Sequence, residues 1–257
     1  RVGGELAAVL AARRIDRPEL VQDLHCDGYL EPKGRSYDDG FRMVLRSGGN
    51  KRRSRFTIAH EVCHTFFYEV VPELKFSAHP TDAEEERVCN EGAAELLMPM
   101  HHLLKNATGS PESIGSLATL ASKYEVSLDA MILRLRTLTL WHCELSVWHR
   151  MTNGRFVLDR IRGAKAIDWR WVDESIIHRA WEDPKRRSIS GRTAIDFQDA
   201  NHNEFARVVY FEIKRRGDSV IALWSKRKFG KPEAPLFRKS AGRTAKVAPR
   251  LSPCAAG

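Results

Sequence analysis

No stretch of this sequence approaches the roughly 18–20 consecutive apolar residues of a membrane-spanning helix. Residues 1–30 also lack the charged, apolar and small-residue succession of a secretory signal. No membrane partner is expected, and the chain reads as soluble and cytoplasmic. Cys-x-x-Cys pairs are missing as well. The five cysteines, Cys26, Cys63, Cys89, Cys143 and Cys254, are odd in number and scattered, a pattern of reduced thiols rather than of a disulfide framework. There is no internal repeat. Acidic residues are nearly absent from the end of the chain. Nine basic residues between Lys226 and Arg250 face Glu233 alone, so most of the +9 net charge belongs to this tail. The tail reads as disordered, able to touch nucleic acid through phosphate contacts without sequence choice.

What is present is a globular composition, 42% hydrophobic over 257 residues, enough for two cores. It is organised around Arg55-Phe56-Thr57-Ile58-Ala59-His60-Glu61-Val62-Cys63-His64-Thr65-Phe66-Phe67-Tyr68. His60 and His64 stand four apart, a spacing that stacks two imidazoles on one helix face within reach of one ion. Glu61 lies about 100° round the helix, where its carboxylate can serve as general base toward a water at that ion. Ser54 is the expected cap, Phe56, Ala59, Cys63 and Phe66 or Phe67 supply an apolar face, and Pro72 is expected to stop the helix. Cys63 and Cys89 form a thiol pair near these residues, which reads as buried packing sooner than as redox sensing.

A second helix is expected from the capping box Thr81 to Glu84 up to Pro99, with Gly92, Ala93 and Ala94 allowing close packing on the first. Among its acids, Glu86 is the chosen third ligand, because one turn later Asn90 can turn its amide to the free ring nitrogen of a ligand histidine. Two histidines and a glutamate leave a fourth tetrahedral position open, as hydrolytic zinc sites do. Taken singly, each acid of this run reads equally as part of a solvated face.

Arg55-Phe56-Thr57-Ile58-Ala59-His60-Glu61-x-x-His64, followed by Glu86-x-x-x-Asn90-x-x-Ala93-Ala94-Glu95-Leu96-Leu97-Met98-Pro99, resembles the ImmA/IrrE family of metallopeptidases. The resemblance extends with less force through residues 20–140. It implies a zinc-peptidase fold with His60, His64 and Glu86 as ligands and Glu61 as base. It further implies a helix-turn-helix (XRE-type) repressor of stress-response or mobile-element genes as the protein substrate. Val62-Cys63 stands where many relatives have Leu-Gly, and Gly92 where an aromatic is common, which affects packing more than chemistry. Zinc is the expected ion, and manganese or iron are alternatives the sequence does not separate. In peptidases of this kind a strand before the active-site helix often forms an edge to which an extended substrate adds itself. Residues 41–46 are the candidate, with Arg42, Val44 and Arg46 as substrate-binding residues. Tyr68, His79, His101 and His102 are candidates for stabilising the oxyanion, and the sequence does not choose among them.

In chain order, Glu5 to Arg14 reads as a helix, Arg17 to Val21 as a second helix start, and Gly28–Leu30 and Gly40–Arg46 as strands. The basic run Lys51-Arg52-Arg53-Arg55 opposes the dipole at a helix start, and is read as a solvated loop before an attractor of acidic substrate. Two short helices follow, the first signalled by Ser110-Pro111, the second capped by Ser127. Leu117-Ala118-x-x-Ala121-x-x-Tyr124-x-Val126-Ser127 resembles a helix-turn-helix unit, but Ser127, Asp129, Arg134 and Arg136 are a thin polar set for base reading, so it is taken as a packing unit. After residue 140 the period becomes two. Glu144–His149 and Arg155–Ile161 flank an Asn153-Gly154 turn, and Arg207–Ile213 and Ser219–Trp224 flank Gly217-Asp218. Ala166–Val172 reads as a further strand and Asp173–Trp181 as a helix. Family resemblance suggests a GAF-like sensor domain here, whose Trp148, Trp169, Trp171, Trp181 and Trp224 are core or pocket residues.

The expected architecture is α+β. A zinc metallopeptidase-like domain (1–108) of helices with a short edge sheet is followed by a helix-turn-helix-like unit (109–140), an antiparallel sensor-like domain (141–225) and a basic tail (226–257). The function expected is a zinc-dependent endopeptidase acting on a repressor. The alternative is a non-proteolytic DNA- or protein-binding regulator with a peptidase-like domain.

Overall fold

The computed structural model describes residues 4–74, 82–163, 168–171, 174–183, 185, 187–198 and 204–229. These hold seven α-helices and two sheets, a mixed α+β architecture. Helix α1 (Gly4–Ala12) leads into β1 (Glu19–Val21), β2 (Gly28–Pro32) and β3 (Phe41–Arg46), a three-stranded sheet in the order β1-β3-β2. The segment read as a second helix start is therefore strand β1, paired parallel to β3 from Glu19↔Val44 to Val21↔Arg46. Pro18 is not followed by a helical apolar period, and three residues at a sheet edge are too few to show a strand period. Gly40 turns the chain into β3 at φ 77, with its Cα facing the Arg14 carbonyl; a Cβ there would lie 2.7 Å from that oxygen.

The sheet corrects the expected substrate edge. β3 lies in the centre, antiparallel to β2 on its other side from Gly28↔Leu45 to Pro32↔Phe41. Its backbone is thus engaged on both flanks, and Val44 is buried in the core. Arg42 is held by Glu19 and Glu31 at 2.7 and 3.2 Å, and the Arg46 side chain donates to the Cys26 carbonyl. The outer strands are β1 and β2.

Helix α2 (Lys51–Leu74) packs on β2 and β3, and α3 (Asp82–Leu97) packs on α2. α2 begins three residues before the expected cap. The Asn50 carboxamide accepts from the Arg52 amide, while Ser54 donates from its hydroxyl to the Asn50 carbonyl. The helix also continues two residues past Pro72, where the expected stop lay. The Thr81 cap lies outside the described residues. Helix α4 (Met100–Thr108), which periodicity did not single out, follows Pro99, and Glu95 accepts from its first amide.

Helices α5 (Ile114–Lys123) and α6 (Leu128–Thr137) are capped by Ser113 and Ser127, so the first starts two residues after the Ser110-Pro111 signal. The polar side chains of α6 are committed inside the molecule. Arg134 is buried, pairs with Glu95 of α3 and donates to the Met98 carbonyl. Asp129 receives Arg160 and Arg162, and Arg136 donates to the Cys143 carbonyl. The pair thus joins α3 to the second sheet.

That sheet is antiparallel throughout and runs β5 (Phe156–Arg162), β4 (Glu144–Arg150), β9 (Ser219–Ser225), β8 (Glu204–Arg216), β7 (Ile189–Gln198), β6 (Asp168–Trp171). Helix α7 (Glu174–Glu182) packs on β8 and β9. β7 went unread because Ser-Gly-Arg-Thr at its start interrupts any apolar alternation. One core cluster extends from Leu6 through Leu145 and Val147 to Ile221 and Leu223, and a second, around Trp148, Ile177, Ile213 and Trp224, lies beneath α7. Of the tryptophans expected in this domain, Trp148 and Trp224 are core residues. The Trp148 and Trp224 indoles both donate to the Ser146 hydroxyl, at 2.9 and 2.7 Å. The region expected to be disordered from Lys226 is described as far as Phe229, whose ring packs against the first core. Residues 230–257 lie outside the described residues. No described helix is long and apolar enough to cross a membrane.

Candidate metal centre

The site is built by two helices. α2 buries Ile58, Ala59, Val62, Cys63 and Thr65 against the sheet and α3, which leaves His60 and His64 at the mouth of the interhelical groove. α3 approaches closely because of Gly92, where an added Cβ would lie 2.7 Å from the Cys63 sulfur. At that separation Glu86 reaches both rings. The His60 and His64 Nε2 atoms are 3.1 Å apart, and the two Glu86 carboxylate oxygens lie 3.2 Å from the first and 3.4 Å from the second. Among the described residues these three form a group able to hold an ion.

The donor set fits a divalent metal on chemical grounds. Ligands about 2.0–2.1 Å from a tetrahedral centre are separated by roughly 3.3 Å, and the three contacts observed, with a different Glu86 oxygen facing each ring, scatter around that length. Burial and the neighbouring His64 hold the His60 pKa below its ordinary value, against the pull of Glu86 and of a hydrogen bond to Asn90. A neutral imidazole is the form that binds metal.

Around the donors, each histidine has its own support. Asn90 bonds His60. His64 Nδ1 lies 2.7 Å from the Glu85 carboxylate, so a proton on Nδ1 donates to Glu85 and leaves the Nε2 lone pair for the cluster. Glu85 was not singled out from the sequence. Its signal was available, since Glu85 is 21 residues from His64 in the same acidic run as Glu86, but three adjacent acids, Glu84 to Glu86, hide which one faces inward.

Glu61 is 7% exposed. Burial raises its carboxyl pKa, His64 opposes this and Glu86 adds to it. Thr65 accepts from Arg13 Nε at 2.8 Å, and the Arg13 guanidinium lies 3.9 Å from the Phe66 ring centroid, which ties α1 to the site helix. Tyr68, a candidate oxyanion group, is 42% exposed and sets its ring edge-on to Phe41. His101 and His102 are exposed and face each other at 4.0 Å. His79 lies outside the described residues. Cys63 and Cys89 are buried and free; burial raises both thiols, the second to about 12, which keeps them protonated and unreactive at neutral pH.

A buried carboxylate, Glu61, thus lies beside a His-His-Glu cluster carried by two packed helices. The family model that matches is Peptidase_M78, the IrrE N-terminal-like domain, over residues 31–136. Among solved structures the chain is similar to a Mycobacterium tuberculosis transcriptional regulator, with 13% identity, 88% of this chain and 82% of that chain covered, and a TM-score of 0.49. No curated protein matches the chain.

Proposed function

We propose that the protein is a metal-dependent endopeptidase that cleaves a helix-turn-helix (XRE-type) repressor in the cytoplasm, and so releases stress-response or mobile-element genes. The observation that carries the reading is the convergence of His60, His64 and Glu86 at metal-ligand spacing beside the buried Glu61. Zinc is the ion the donor set favours, with manganese and iron as competitors. His60 and His64, each with one nitrogen engaged by Asn90 or Glu85, and Glu86 would hold it. When bound, such an ion supplies Lewis acidity to a peptide carbonyl.

The remaining steps belong to the protein. Glu61 takes the proton of a water as its oxygen adds to the carbonyl carbon, then returns that proton to the amide nitrogen as the carbon–nitrogen bond breaks. Free acid and amine result. Burial brings the Glu61 carboxyl pKa nearer to working pH, which favours both transfers. The substrate strand is placed along β2, an outer strand packed on α2, instead of along β3. In this scheme residues 1–108 do the chemistry, 109–140 connect, and the antiparallel domain at 141–225, read as GAF-like, senses. The regulator alternative needs a DNA-reading helix, yet Asp129, Arg134 and Arg136 of α6 are already engaged internally.

The full chain loaded with zinc is expected to cut a co-encoded XRE-type repressor. Glu61→Gln should keep the metal and lose activity by about 10²–10⁴-fold. A Glu61→Gln protein that cuts normally removes the base assignment, and purified chain that retains no metal removes the enzymatic reading.

A further inference from the structure

Away from His60 and His64, the end of α6, His142, Val209 of β8 and the ends of β4 and β9 line an open cavity of about 260 Å³. Its floor includes Trp224, and its charged lining is Arg136, Glu144, Lys226 and Arg227. Glu144 is 9% exposed, and its Oε2 atom is buried with no hydrogen-bond partner. Its other oxygen lies 3.7 Å from Arg136, whose guanidinium is shared with the Cys143 carbonyl at 3.2 Å. A buried carboxylate oxygen without a donor is costly, and such a group calls for an N–H, an O–H or water. Lys226 and Arg227, on the exposed rim, make no ion pair with another described residue.

The lining selects among ligands. A simple anion such as phosphate suits the rim but meets the Glu144 carboxylate at the bottom. A simple cation suits Glu144 but meets three cationic side chains. A molecule carrying one cationic N–H group and two acidic groups answers both, and its net negative charge complements the excess of positive charge around the cavity. Size narrows the class further. The cavity equals roughly nine water volumes at ~30 Å³ each, room for a metabolite of about ten non-hydrogen atoms. It is smaller than the ~300–1,000 Å³ typical of sites for larger ligands.

We propose that this cavity binds an acidic amino acid, with the ammonium group received by Glu144 and the carboxylates by Lys226 and Arg227. The ammonium donates to the open Glu144 oxygen, and Arg227 is able to take a carboxylate with two parallel N–H donors. The site is independent of the peptidase reading. It shares α6 with that region, however, because Arg134, two residues before Arg136, is paired with Glu95 of α3.

Isothermal titration of the full chain with L-glutamate, L-aspartate, L-lysine, inorganic phosphate and guanosine monophosphate tests the assignment. Saturable binding of L-glutamate or L-aspartate, with L-lysine silent, is expected. Arg227→Ala, an exposed change that leaves the fold alone, should weaken it about tenfold or more, and the isosteric Glu144→Gln should do the same. No heat with either acidic amino acid overturns the proposal. So does binding unchanged in both variants, or binding of phosphate or the nucleotide alone.

Discussion

At the residue scale, the site depends on carboxylates whose neighbours differ sharply. Glu85 is a positioning residue, since it holds the His64 ring by Nδ1 while Nε2 faces the cluster. Glu85→Ala is expected to lower zinc affinity by about 10–100-fold in a chelator competition, with Glu85→Gln, which keeps an accepting oxygen, restoring most of it. Glu144 shows the opposite balance. Burial raises its pKa above the ordinary 4.5, against Arg136 and Lys226, so ionising it costs more in the folded chain than in the unfolded one. Below the ordinary value it is protonated in both states and contributes no pH dependence; between the ordinary and the raised value only the unfolded chain ionises, so the folded state loses stability there and the loss is complete above the raised value. Glu144→Gln should therefore gain in melting temperature over the parent between about pH 5 and pH 8, the difference shrinking toward the acid end, as calorimetry at the two pH values would show.

At the scale of elements, the contact between α2 and α3 sets the distance at which Glu86 meets the histidines. Gly92→Ala would place its methyl 2.7 Å from the Cys63 sulfur, so the helices must part. A loss of about 1–3 kcal/mol in urea unfolding is expected, together with weaker metal binding. Cys63→Ala in the same chain should recover much of both, the coupling expected of residues in contact. The sequence made this contact legible, because small residues in register on a helix that also carries the third acid have few other uses. It also made legible the hairpins at Asn153-Gly154 and Gly217-Asp218, where turn chemistry is local. β1 was hidden because three exposed residues carry no period. The central place of β3 was hidden too, since strand order is set by partners distant in sequence, and it leaves β1 and β2 as the outer strands. Asn50 and Pro72 mark a further limit. Capping and breaking residues act locally, but packing on the sheet and on α3 extends α2 beyond both signals.

Over the whole molecule, the segment matched by the family is not closed on itself. Trp141, Leu145, Val147, Ile221 and Leu223 share a core with Phe41, Met98 and Leu135. Cutting the chain after residue 140 would uncover that surface. The shortened protein is expected to bind a hydrophobic dye and to aggregate at concentrations where the full chain stays in solution, which light scattering would measure. The order of strands carries a second consequence, for synthesis. β9 lies between β4 and β8 although it leaves the ribosome after every other described strand. At ~5–20 residues per second, the hairpin of β4 and β5 emerges on the order of ten seconds before the neighbour that completes it. Through that interval the edge of β4 stays open to any passing strand, so the newborn chain most needs a chaperone while the helices that carry His60, His64 and Glu86 are already outside the exit tunnel.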